Sequence, residues 1–185
     1  MMRLRIALFC GLGLLLLGGA GCDSRPKRDP AAVAKRAAWV SPEAISALAS
    51  AIPGDDAVLG VVFDEPVSGE FSSLGVFADG SLKLLSSIGT GLVAGSDKLS
   101  ASTQELIRGL CADASRLRPA FDGDAAREWP LPRTLRVTVL TRRGVLSAEE
   151  AQSAMQDGTS SLAVLTPKYL ELLKAASILH RAGVR

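Results

Sequence analysis

FSSLGVFADGSLKLLSSI, residues 71–88, decides the fold. Two runs rich in apolar residues, 71–78 and 81–88, flank Asp79-Gly80. Asp-Gly between such runs is a strong hairpin signal, because both turn residues tolerate positive φ. The stretch reads as two antiparallel strands, and the chain around it is expected to build on them.

Upstream, Ser41-Pro42-Glu43 has the form of a helix start: a capping serine, proline at the first helical position, and an acid near the positive helix end. Val40 and Ile45 occupy the positions of a hydrophobic staple. Ile45, Leu48, Ala49 and Ile52 share one face, and Pro53-Gly54 stops the helix. Residues 57–63 then form a valine-rich run of strand length. Downstream, residues 89–98 read as a glycine-containing loop, and Ser102-x-x-Glu105 has the pattern of a capping box. Leu106, Ile107, Leu110, Cys111, Ala114 and Leu117 recur at helical spacing, and Pro119 closes that helix. Residues 122–132 read as a loop.

Leu135, Val137 and Val139 alternate with Arg136 and Thr138, the pattern of a half-exposed strand. Arg142-Arg143-Gly144 turns the chain, and Val145-Leu146 pairs back. Ser147-x-x-Glu150 opens an expected short helix over 148–157, which Gly158 closes. Thr166-Pro167 caps a last helix to about residue 182, with Tyr169, Leu172, Leu173, Ala176 and Leu179 inward. The expected fold is α+β, an antiparallel sheet of hairpins packed with three to four helices. The order of its elements resembles the roadblock or profilin-like arrangement.

The N-terminus carries an address. Arg3 and Arg5 precede an apolar run, 6–17, and Gly18, Gly19, Ala20 and Gly21 lead to Cys22. Basic, apolar, then small is the layout of a secretory signal. The run would span about 18 Å as helix, against a hydrocarbon core of roughly 30 Å, so cleavage fits better than a permanent span.

Leu17-Gly18-Gly19-Ala20-Gly21-Cys22 resembles the lipobox of bacterial lipoproteins. Ala20 and Gly21 match its small positions, and Gly19 stands where that family usually carries a branched residue. The resemblance implies that Cys22 is lipidated and becomes the new N-terminus, held in a bacterial cell membrane by two or three acyl chains on the periplasmic or outer side. Asp23, by the sorting rule of enteric lipoproteins, implies retention in the inner membrane. The expected organisation is a signal peptide over 1–21, a lipidated cysteine with a polar tether over 22–30, and one α+β domain over 31–185. Arg25, Lys27 and Arg28 place bases in the tether, where they are solvated or touch anionic head groups. The same residues allow an alternative: Gly18-x-Ala20 suits ordinary signal peptidase, which would release a soluble protein beginning at Gly21.

Charge and cysteine usage bound the function. The net charge of +2 is accounted for by Arg3 and Arg5, so what remains after cleavage is neutral and makes no electrostatic case for nucleic acid. Glu43, Asp55, Asp56, Asp64, Glu65, Glu70 and Asp79 fall in a stretch with no base, while Arg133, Arg136, Arg142 and Arg143 cluster later. These regions either pair within the domain or form a polarised surface for a partner. Cys10 leaves with the signal and Cys22 carries lipid, so Cys111 has no partner for an internal disulfide.

Each candidate for chemistry falls short of a pattern. His180, the sole histidine, stands near the chain end without a Gly-x-Ser-x-Gly elbow elsewhere. Cys111 lies on the apolar stripe of its helix, where a thiol is buried and inert. Gly89-Thr90-Gly91-x-x-x-Gly95 matches neither dinucleotide nor Walker spacing. Asp122-Gly123-Asp124 with Glu128 offers oxygens but lacks the calcium-loop spacing. One histidine and one available cysteine exclude a structural zinc site. No catalytic residue, metal ligand or cofactor is expected. The expected function is a non-catalytic, lipid-anchored cell-envelope module that binds another envelope protein or assembles with it. An acid-using envelope hydrolase and a soluble secreted protein are the alternatives.

Overall fold

A computed structural model describes residues 29–67, 70–87, 89–121 and 130–184. The chain begins with two helices, α1 (Pro30–Ala38) and α2 (Pro42–Ala51), followed by four strands, β1 (Val58–Val67), β2 (Glu70–Phe77), β3 (Leu82–Ser86) and β4 (Gly91–Ala94). Helix α3 (Ala101–Arg116) leads to β5 (Thr134–Thr141) and β6 (Gly144–Ala151), then α4 (Gln152–Asp157) and α5 (Thr166–Arg181). All six strands form one antiparallel sheet in the order β4-β3-β2-β1-β5-β6. The α+β class and the antiparallel hairpin sheet stand as expected.

The hairpin forms from β2 and β3, with Val76 opposite Leu82. Its loop is longer than a two-residue turn. Phe77 donates its N–H to Ser81 O, and Gly80 donates to Phe77 O, so the loop is residues 78–80. Only Gly80 takes a positive φ, +85°, which is the type I turn with a left-handed third residue rather than the primed turn. Asp79 instead accepts from the Ser81 N–H at 2.8 Å.

Both faces of the sheet are covered. On one face Val61, Phe63, Leu74 and Val76 meet Ile107, Leu110 and Ala114 of α3 and Tyr169, Leu172 and Ala176 of α5. On the other, Leu59, Val62, Phe77 and Leu140 meet Ala32, Trp39 and Leu48 from the first two helices. Trp39 lies so close over Gly75 that a Cβ there would sit 3.0 Å from its ring. The second layer corrects the expectation for β5. Arg136 and Thr138 are buried, not exposed, because α1 and α2 cover the face onto which they point.

Three local expectations are overturned. Residues 91–94 are a strand, not loop: Leu92 and Ala94 alternate inward, and β3 supplies the partner. The cap of α3 is Ser100, whose Oγ accepts from Thr103 N at 3.2 Å, and Glu105 pairs with Arg108 instead of closing a box with Ser102. Residues 147–151 continue β6, because Ser147 and Glu149 find cross-strand partners in Thr138 and Arg136; helix begins only at Gln152. Asp29-Pro30 also opens a helix, α1, with a capping acid and a first-position proline like those of Ser41-Pro42 at α2. The Asp29 side chain accepts from Ala31 N at 2.9 Å, and its N–H donates to Ser87 O.

Candidate functional site

The polar residues gather in three places. On the α1 face, a row of polar groups crosses four strands at one register: Ser73 on β2, Asp64 on β1, Arg136 on β5 and Glu149 on β6. Arg36 descends onto it from α1, donating Nε to Asp64 Oδ1 at 2.7 Å and Nη2 to Oδ2 at 2.5 Å. Ser73 Oγ donates to Oδ1 at 2.5 Å. Arg136 donates to Glu149 Oε2 at 3.2 Å, while Glu149 Oε1 accepts from Leu131 N and Thr134 Oγ1. Burial opposes the charge on Glu149, but these donors and Arg136 outweigh it and hold its carboxyl below the usual range. Every oxygen of these two acids is engaged, which suits alignment of the strands.

On the opposite face, Glu65 accepts from Tyr169 OH at 2.9 Å and from Gln152 Nε2 at 3.1 Å. Burial raises its carboxyl pKa, and the Tyr169 bond opposes that only in part. Asp64 and Glu65 adjoin in sequence yet project to opposite faces of β1, as strand geometry requires. They cannot share a substrate as paired carboxylates. On α3, Asp113 accepts from Lys168 of α5 at 2.5 Å and also pairs with Arg116; burial raises its carboxyl pKa, these cations lower it, and the net shift is down.

The third place is a cavity of about 250 Å³ between the last turns of α5 and strands β2 to β4. Ser72, Ser86, Thr90, Ser177, His180 and Arg181 line it. Ser86 Oγ and Thr90 Oγ1 are 2.6 Å apart, and Ser177 Oγ donates to Leu173 O at 2.8 Å. No acid stands among the lining residues to orient His180, and a serine–histidine nucleophile needs one. The recess is smaller than an ordinary small-molecule pocket.

The remaining candidates separate. Cys111 is buried on the inner face of α3, and burial, with a smaller push from the charge of Asp79, raises its thiol to about 12. Gly89, Gly91 and Gly95 fall in a turn, in β4 and before a short 3-10 turn, so they form no single cradle. Asp122, Gly123, Asp124 and Glu128, like Cys22, lie outside the described residues. Among the described residues no group of three metal-binding side chains converges, and no helix is long and apolar enough to cross a membrane. The acidic and basic regions do meet: Asp56 pairs with Arg143 at 3.4 Å and with Arg118 at 3.1 Å. Arg142 instead donates to the Ala49, Ile52 and Gly54 carbonyls at the end of α2. Arg36 and Ser73 carried no legible signal, since their meaning depends on Asp64, which is 28 residues from Arg36. No protein-family model and no curated protein matches the chain.

Proposed function

We propose that this chain is a lipid-anchored cell-envelope module, attached to a bacterial membrane through lipid on Cys22, that binds or assembles with another envelope protein and carries out no catalysis. The observation that carries this reading is the small-residue exit, Gly19-Ala20-Gly21-Cys22, from an apolar run too short to span a bilayer. Multiple acyl chains are required for durable attachment, since one chain alone binds marginally. The non-catalytic part draws support from how the titratable side chains are used. Asp64 neutralises Arg36, Glu65 holds Tyr169, Asp113 ties α3 to α5, and Cys111 packs in the core.

Metabolic labelling with a fatty-acid analogue tests the anchor. Wild-type protein takes up label and Cys22→Ser does not. Equal labelling of the two defeats the reading.

A further inference from the structure

The recess under the last turn of α5 is floored by a rung of hydroxyls. Ser72 of β2 is opposite Ser86 of β3, and Ser86 Oγ lies 2.6 Å from Thr90 Oγ1. The next rung on that face, Leu74, Leu84 and Leu92, is apolar and packs into the core. Above the hydroxyls α5 brings Ser177, His180 and Arg181, and the two layers enclose about 250 Å³.

Donors without partners face this space. Among the described residues Ser72 and His180 have no hydrogen-bond partner. Arg181 gives Nε to Ser177 O at 3.3 Å and forms no ion pair among the described residues, so its terminal nitrogens are uncommitted. In the Ser86–Thr90 pair one hydroxyl donates to the other, which leaves the acceptor its own proton to give. The acceptors of the last turn are already used. Ile178 O, Leu179 O and His180 O accept from the N–H groups of Ala182, Val184 and Gly183, which caps the negative end of the helix.

The neighbouring acids do not enter the recess. Glu65, opposite Ser72 on β1, accepts from Tyr169 OH with one oxygen and from Gln152 with the other. Asp29 reaches the β3–β4 turn at Gly89, but its carboxylate caps α1. Glu70 shares the face of Ser72, two residues before it, and is not among the lining residues. Glu149 and Glu150 stand on β6, four strand spacings from β3, or about 19 Å. Asp157 ends α4, beside β6. Charges at that separation are largely screened.

A small space with donors on two sides and no carboxylate within it suits an oxyanion. The strands offer hydroxyls from below, and the helix offers a guanidinium and an imidazole from above. A tetrahedral group, with oxygens pointing several ways, meets more of these than a planar carboxylate does. We propose that this recess binds a phosphate group, held by Arg181, His180, Ser72 and Thr90. The group is free phosphate or the phosphate end of a larger molecule, since Thr90, His180 and Arg181 are exposed and leave a path to solvent. The site goes beyond the envelope-module reading and does not depend on the Cys22 anchor.

His180 is the sole histidine, so isotope-labelled histidine gives a single imidazole signal from this recess in protein without a histidine tag. The full chain, in a neutral detergent, is titrated with inorganic phosphate at constant pH and ionic strength. The His180 signal should shift and saturate, and chloride should not reproduce the shift. Arg181→Gln should weaken binding by about tenfold or more, because a charged donor is lost. Lys174→Gln removes the same charge from an exposed position on α5 outside the recess and should leave binding nearly unchanged. Glycerol phosphate separates the sources: tighter binding than inorganic phosphate assigns the site to a larger molecule, weaker binding to free phosphate. A shift that never saturates, or that chloride reproduces, overturns the site. So does equal phosphate affinity in the wild type and in an Arg181→Gln variant with an unchanged melt. Acetate binding as tightly as phosphate overturns the assignment to a phosphate group.

Discussion

Arg36 of α1 and Asp64 of β1 form a buried ion pair with two parallel hydrogen bonds, 2.7 and 2.5 Å long, the side chains 10% and 2% exposed. The pair fastens the first helix to the middle of the sheet. Removing one partner from such a pair leaves a buried charge without compensation and costs about 3–5 kcal/mol. Arg36→Met is expected to destabilise by that amount in denaturant unfolding. Arg36→Met combined with Asp64→Leu should cost clearly less than the sum of the single changes. Additive losses would show that the two side chains do not act as a pair.

Gly80 controls the β2–β3 hairpin. It holds φ +85°, and a Cβ there would fall 2.8 Å from Ser96 Cβ. Gly80→Val therefore combines backbone strain with a clash and should cost on the order of 1 kcal/mol or more. For a domain of this size that lowers Tm by roughly 2–4 °C per kcal/mol. An unchanged thermal melt would mean that the turn does not set the hairpin.

These two cases differ in how far the sequence could reveal them. The Asp79-Gly80 turn is local chemistry, as are Ser41-Pro42 at α2 and the inward stripe of α3 that contains Cys111. The Arg36–Asp64 pair joins residues 28 positions apart and has no local signature. β4 was hidden because four residues between glycines become a strand only beside β3. In β6, Ser147 and Glu150 match a capping box, yet the cross-strand bond of Glu149 to Arg136 prevails. Polar Arg136 and Thr138 made β5 look half-exposed; what covers them is the layer of α1 and α2, which the strand's own alternation does not reveal.

Cys111 is expected to react slowly with a maleimide in the native protein and rapidly after denaturation. Burial keeps its thiol protonated, with a pKa of about 12, and thiolate is the reactive form. Cys111→Ala should lose on the order of 1 kcal/mol of stability. Rapid native labelling would contradict the packing.

Glu65 gives a pH signature of defined sign. Its carboxyl pKa is raised in the fold by burial, so the folded state favours the protonated form. The resulting destabilisation is absent below the ordinary carboxyl pKa, grows as pH rises through the raised value, and stays constant above it. Glu65→Gln should therefore raise Tm at pH 7 and leave it little changed near about pH 4, where Glu65 is largely protonated. Asp113 and Glu149 have the opposite sign: their lowered pKa values give stability that is lost as pH falls through them. A drop in Tm at pH 7 for Glu65→Gln would show that the carboxylate is favoured in the fold.

The anchor is tested most directly by the intact mass of the mature protein extracted from membranes. The account predicts a chain beginning at Cys22 whose mass exceeds that of the polypeptide by a diacylglyceryl group, with or without a further amide-linked acyl chain. A mature chain beginning at Gly21, with Cys22 as an unmodified thiol, would contradict it.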